Sequence, residues 1–209
     1  SMCFFPLVGT VTGIAVSICI YLCGLSGISD IVKGAVCAAL PIIITGGIHM
    51  DGFMDTQDAM ASWQPMEKRL EILKDTHTGA FAVIYCALYM ILNTAFASQL
   101  KADDIPAVIC AYTVSRSLSA LTLSLFKSAR PGGMLDGFAK SAHKRAVISA
   151  CGVYICVCLA VCLVCSVCVL IYRHRAYKYF GGITGDLAGW FVQITELSML
   201  ACILIGGML

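Results

Sequence analysis

Six apolar runs of about twenty residues each, at 7–27, 31–48, 79–100, 105–126, 147–172 and 187–209, constrain this chain more than any other feature. A helix rises ~1.5 Å per residue, so runs of this length cross a ~30 Å hydrocarbon core with some tilt. Strands facing lipid would need a closed barrel and period-two alternation, which these runs lack. Composition agrees: 59% of the 209 residues are apolar and 12% charged, with a mean hydropathy of +0.89, where soluble domains run at about half and a quarter. The expectation is an all-α, polytopic transmembrane helical bundle. It forms a single integral-membrane domain over 1–209, because no linker, low-complexity segment or internal repeat divides the chain.

The formal net charge is +2, and the basic residues sit in short loops between spans. That pattern excludes a nucleic-acid surface, which would gather them into one stripe. If six spans alternate simply, Lys68, Arg69, Lys74, Lys127, Arg130, Lys140, Lys144 and Arg145 share a side that the positive-inside tendency assigns to the cytoplasm. Lys101, Arg173, Arg175 and Lys178 then fall opposite, unless 173–185 is a re-entrant or cytoplasmic segment. The 13 cysteines lie mostly within apolar spans and lack zinc-site spacing, so free thiols are expected. No basic leader with a small-residue cleavage site opens the chain.

Function must reside in the polar segments 49–78, 127–145 and 173–186 and in charges buried between spans. The richest stretch leaves the second run: Thr45-Gly46-Gly47-Ile48-His49-Met50-Asp51-Gly52-Phe53-Met54-Asp55-Thr56-Gln57-Asp58-Ala59. At ~100° per residue, Asp51, Asp55 and Asp58 lie within about 60° of one another on a helix. Carboxylates packed this way repel, and an oxygen-only ligand set suits Mg2+, which takes one or two carboxylates together with substrate phosphates. The bland alternative is a solvated acidic face. His49 falls nearly opposite unless Gly46-Gly47 breaks the helix, and is a candidate base or substrate contact as well as an ordinary interfacial histidine.

Arg69, Lys74 and Asp75 suit phosphate gripping, although a basic loop against anionic lipid headgroups explains the two cations almost as well. Arg116 stands mid-span between Ser115 and Ser117, where a charge demands a phosphate or carboxylate partner. Gly181-Gly182-Ile183-Thr184-Gly185-Asp186 opens the last run, in which Asp186, Gly189, Gln193 and Glu196 share a stripe. Glu196 lies deep enough in apolar sequence to need a cation or a proton.

Taken in order, these motifs resemble the cobalamin synthase family, the adenosylcobinamide-GDP ribazoletransferases. The residues that carry the resemblance are 45–52 with Asp55 and Asp58-Ala59, then Arg69 with Lys74-Asp75 and Gly79-Ala80-Phe81, then 181–186 with Glu196. Phe5-Pro6-Leu7-Val8-Gly9 extends it to nearly the whole chain. The resemblance implies transfer of adenosylcobinamide phosphate from adenosylcobinamide-GDP to α-ribazole or its 5′-phosphate, releasing GMP, in the inner membrane with the active site facing the cytoplasm. It further implies Mg2+ on Asp51, Asp55, Asp58 and Asp186, with His49, Asp58 and Glu196 in catalysis. Arg69, Lys74, Asp75, Arg116, Gly182 and Thr184 would hold substrate, membrane lipid would surround the chain, and a homo-oligomer is compatible.

Two departures stand out. Family members usually carry a segment before Phe5-Pro6, so truncation there is expected, and Trp190-Phe191 stands where smaller residues would be expected near Asp186. CDP-alcohol phosphotransferases are the nearer rival, but their Ala-Arg pair after Asp-Gly is missing. A transporter is the more distant one, and would place its acidic site at the bilayer midplane in repeated halves.

Overall fold

A computed structural model describes residues 4–129, 148 and 162–206, and the described chain is helical, joined by short turns. In chain order the helices are α1 (Phe5–Ser26), α2 (Asp30–Ile44), α3 (Ile48–Ala61), α4 (Met66–Ile72), α5 (Ala80–Gln99), α6 (Ile105–Leu125), α7 (Cys162–Phe180) and α8 (Gly185–Gly206). Local sequence sets several boundaries. Proline occupies the first turn of α1 and of α6, where its missing N–H costs nothing. Gly27 ends α1 in the left-handed conformation, its N–H returning to the Cys23 carbonyl.

Four segments are long and apolar enough to span a membrane: α1, α5, α6 with its preceding turn, and α8. The second expected run behaves differently. Pro41 lies inside α2, the Thr45 hydroxyl folds back onto the Pro41 carbonyl, and Gly46 and Gly47 both adopt positive φ. The chain therefore turns by 95° into α3, so the second run is a bent helix pair, as in a broken span or a re-entrant loop, and not one straight helix. Gly46-Gly47 breaks the chain before His49, which leaves the histidine in the same helix as the aspartates. Of the fifth expected run, only residue 148 and the part within α7 lie among the described residues.

The bundle is built around α6, whose residues 111–120 are buried on every side. Helix α1 lies antiparallel against it at very close range. A β-carbon at Gly9 would stand 2.3 Å from the Tyr112 carbonyl oxygen, so the crossing requires glycine there. Outward faces carry exposed Ile31, Ile43, Ile91 and Leu170, as expected where lipid is the solvent. Among the described residues Cys19, Cys23, Cys37, Cys86, Cys110, Cys168 and Cys202 are free thiols, in line with the sequence.

Simple alternation of spans fails at 173–186. Ile183 donates its N–H to the Lys127 carbonyl and accepts from the Ala129 N–H, stitching the approach to α8 onto the end of α6. Arg69 of α4 stacks on Tyr179, and Met66 packs at Gly181. Arg173, Arg175 and Lys178 thus belong to the end that holds α3, α4 and Lys127, not the end with Lys101. That end is described by one coherent polar layer, while Arg130, Lys140, Lys144 and Arg145 lie outside the described residues.

The α1–α6 crossing makes a checkable forecast. Gly9→Ala should lower stability by roughly 1–3 kcal/mol through overpacking. Gly24→Ala in the same helix meets nothing within 4 Å and should be neutral or stabilising by up to about 1 kcal/mol. Thermal unfolding of the two variants in detergent measures the contrast.

Candidate functional site

The acidic face is assembled by α3 and the start of α8. Within α3, Asp51, Asp55 and Asp58 occupy one face as their spacing requires. Gly52, on the side toward α8, lets the two backbones almost touch: a β-carbon there would lie 2.8 Å from both Cα and O of Asp186. One turn further along α8, Gly189 packs on the backbone of His49 and Gly52. This contact brings Asp186 into the field of Asp55. Burial, then the charges of Asp51, Asp186 and Asp58, push the Asp55 carboxyl up to about 6.

The donor chemistry fits a hard divalent cation, because repulsion among ionised carboxylates is what such an ion relieves. Among the described residues, however, no three His, Cys, Asp or Glu side chains converge closely enough to hold a metal unaided. Mg2+ tolerates that arrangement, since it retains waters and takes phosphate oxygens as ligands.

Asp58 is engaged elsewhere. Its Oδ2 accepts the Gly79 N–H at 2.5 Å and its Oδ1 accepts the Ala82 N–H at 3.1 Å. It therefore caps the N-terminus of α5 from a different helix, where the dipole favours a carboxylate. A β-carbon at Gly79 would lie 2.1 Å from that Oδ2, so the Gly79-Ala80-Phe81 motif accommodates the cap.

His49 sits on the opposite side of α3 from the acidic face, with its ring edge-on to Phe5 at 5.9 Å. Burial and the nearby Arg116 guanidinium lower its pKa to about 3, so the imidazole stays neutral at physiological pH. Arg116 and Glu196, read from sequence as substrate and catalytic groups, are paired with each other. Arg116 Nη1 donates to Glu196 Oε1, and the Ser115 hydroxyl lies 3.0 Å from that oxygen and 3.1 Å from Nη1. Both side chains are essentially inaccessible, at 0% and 2% exposure. They act as an interhelical clamp between α6 and α8.

The similarity to known proteins extends over nearly the whole chain. A family model described as cobalamin-5-phosphate synthase matches residues 1–204. The chain belongs to the cobalamin-5-phosphate synthase family. A relative from Lachnoclostridium phytofermentans is 39% identical over 209 residues, covering 94% of this chain and 80% of its own. One from Desulforamulus reducens is 32% identical over 218 residues, covering 99% and 86%. One from Pseudomonas savastanoi is 30% identical over 214 residues, covering 96% and 86%. Each of the three is named adenosylcobinamide-GDP ribazoletransferase. No solved structure matches.

In this synthase-family chain the remaining candidates are distributed around the same polar end. Arg69 lies with its guanidinium 4.6 Å from the Tyr179 ring centre, while Lys74 is exposed. Asp75, also exposed, bonds the His77 backbone N–H at 3.0 Å and ring Nδ1 at 2.7 Å, which lowers its pKa. Gly182 meets chain rather than open space, since a β-carbon there would lie 2.6 Å from the Lys127 carbonyl. The Thr184 hydroxyl accepts the Leu187 N–H at 3.2 Å, capping α8. Trp190 and Phe191 turn toward Tyr172 of α7, so their bulk leaves the packing at Asp186 undisturbed. Sequence reading missed the roles of Gly52 and Gly79. A glycine set among carboxylates inside a helix is the signal that marks Gly52.

Two outcomes are expected. Arg116→Met or Glu196→Leu alone should cost about 3–5 kcal/mol by stranding a buried charge, whereas the double substitution should recover most of that loss; a thermal double-mutant cycle checks it. The second concerns Asp55. A raised carboxyl pKa stabilises the fold fully below the ordinary carboxylate value, and that stabilisation is lost as pH rises through about 6. Metal-free wild type should therefore lose stability as pH rises from about 4 to about 6, and Asp55→Asn should flatten that decline in melting-temperature profiles.

Proposed function

We propose that this chain transfers the adenosylcobinamide-phosphate moiety of adenosylcobinamide-GDP to α-ribazole or α-ribazole 5′-phosphate, releasing GMP, in assembly of the cobalamin nucleotide loop. The family membership and the names of its relatives support the reaction. The single structural observation that carries the site is that the half-buried Asp55 carboxyl lies in the field of Asp51, Asp186 and Asp58. Such a group has little use in packing and suits the handling of a pyrophosphate.

In the proposed reaction, the ribazole hydroxyl oxygen forms a bond to the cobinamide-side phosphorus, and the bond from that phosphorus to the bridging oxygen of GMP breaks. The hydroxyl proton passes to a carboxylate of the acidic face. Asp51, Asp55 and Asp186 would hold Mg2+, which when bound supplies neutralisation of the pyrophosphate charge. Asp58 holds α3 in register with α5, and so fixes where the other carboxylates stand. Arg69, steadied on Tyr179, and the freely reaching Lys74 would meet the phosphates. The buried Arg116–Glu196 pair keeps the α6–α8 geometry rigid beneath the site.

The same polar end carries Lys68, Arg69, Lys74, Lys127, Arg173, Arg175 and Lys178, against Lys33 and Lys101 at the other. This asymmetry supports placing the site on the cytoplasmic face of the inner, or plasma, membrane. The test is GMP release from adenosylcobinamide-GDP and α-ribazole phosphate by protein in liposomes, with and without Mg2+. Release that needs Mg2+ and falls at least a hundredfold in folded Asp55→Asn is expected. Full activity in EDTA, or in Asp55→Asn, would remove the acidic face from the mechanism.

A further inference from the structure

We propose that the outward face of α7 is a binding site for an anionic phospholipid, whose headgroup lies against Arg173 and Lys178 and whose acyl chains run along Val167, Leu170 and Ile171. Helix α7 has two sides. Cys168, Tyr172, Ala176 and Phe180, spaced four apart, are buried against the bundle, with Tyr172 on Phe191 at 4.7 Å between ring centres. On the opposite side, Val167, Leu170 and Ile171 are 54%, 65% and 44% exposed. At ~100° per residue, His174, Tyr177 and Lys178 continue that same stripe, and Arg173 flanks it.

The stripe is apolar first and cationic afterwards. Leu170, Arg173, His174, Tyr177 and Lys178 line a shallow groove along it. From Leu170 to Lys178 the rise is ~12 Å, enough to carry a ligand from acyl region to headgroup. The cationic part ends beside Gly181 and Met66, in the polar layer that closes the bundle, so Arg173 and Lys178 stand at headgroup depth. Tyr177, 41% exposed, has the amphipathic character favoured at that depth.

Charge decides the occupant. Among the described residues, neither Arg173 nor Lys178 makes an ion pair with a carboxylate. What they meet are rings, Phe126 at 5.9 Å from the Arg173 guanidinium and Tyr179 at 5.4 Å from the Lys178 ammonium. Two cations with no carboxylate partner among the described residues, set above an exposed apolar strip, complement an amphiphile with a negative head. A zwitterionic lipid would leave that charge unmatched. The nucleotide substrate is a poor fit, because the lower half of the stripe, Val167, Leu170 and Ile171, is apolar and exposed.

The test uses the full chain in detergent, with retained lipid counted by native mass spectrometry after exposure to equal amounts of phosphatidylglycerol and phosphatidylcholine. Wild type should retain phosphatidylglycerol preferentially. Arg173→Gln with Lys178→Gln should lower that retention by about tenfold, while Arg173→Lys with Lys178→Arg preserves it and Lys101→Gln at the far end leaves it unchanged. Each single Gln variant is read in the same way, so the result does not hang on the double variant folding. Equal retention of the two lipids, or equal phosphatidylglycerol retention by the Gln variants and wild type, overturns the proposal. So does displacement of the lipid by inorganic phosphate at matched concentration, which would make this a free-phosphate site.

Discussion

Asp186 reaches Asp55 because Gly52 carries no side chain, and much of the polar end is arranged to keep that contact. Any β-carbon at position 52 would drive α8 away from α3 and carry Asp186 out of the acidic group. Three devices hold the two helices at this range. Gly189 extends the close approach by a turn, Thr184 caps the start of α8, and the paired backbone bonds between Ile183 and the 127–129 segment fix where α8 begins. Asp58 then ties the far end of α3 to α5.

A bilayer penalises exactly the groups this architecture needs, which explains how they are distributed. The carboxylates sit beyond a 95° break, with Asp51 exposed and Asp55 and Asp58 half-buried, where water and ligands can reach them. The one described ion pair within the spans, Arg116 with Glu196, is enclosed by protein and bridged by Ser115. Removing either partner leaves a charge with nowhere to go. The pair thus makes α6 and α8 a unit, and that unit supports the start of α8 at the acidic face.

The fold was legible wherever one run of residues answers to one physical demand. Length and hydropathy located α1, α5, α6 and α8, because spanning lipid requires a continuous apolar helix. The acidic face was legible too, since helical periodicity alone sets Asp51, Asp55 and Asp58 together. Roles that depend on a second segment were not. Asp58 looks like its neighbours in sequence, yet its oxygens are occupied by the N-terminus of a helix that begins some twenty residues later. Gly182 was expected to hold substrate, yet the space beside it is filled by the chain near Lys127. Arg116 and Glu196 each announced a need for a partner, and nothing local could reveal that they pair with one another.

The sequence by itself determined that this is a helical membrane protein, which motifs it carries and which residues within each helix share a face. These follow from hydrocarbon thickness and the helical repeat, both of which act within one segment. Only the tertiary structure decided that 173–186 returns to the end bearing α3, that Asp186 joins Asp55, and that the mid-span charges pair. Those outcomes depend on how closely separate helices approach, which is set by small residues and steric fit between segments far apart in the chain.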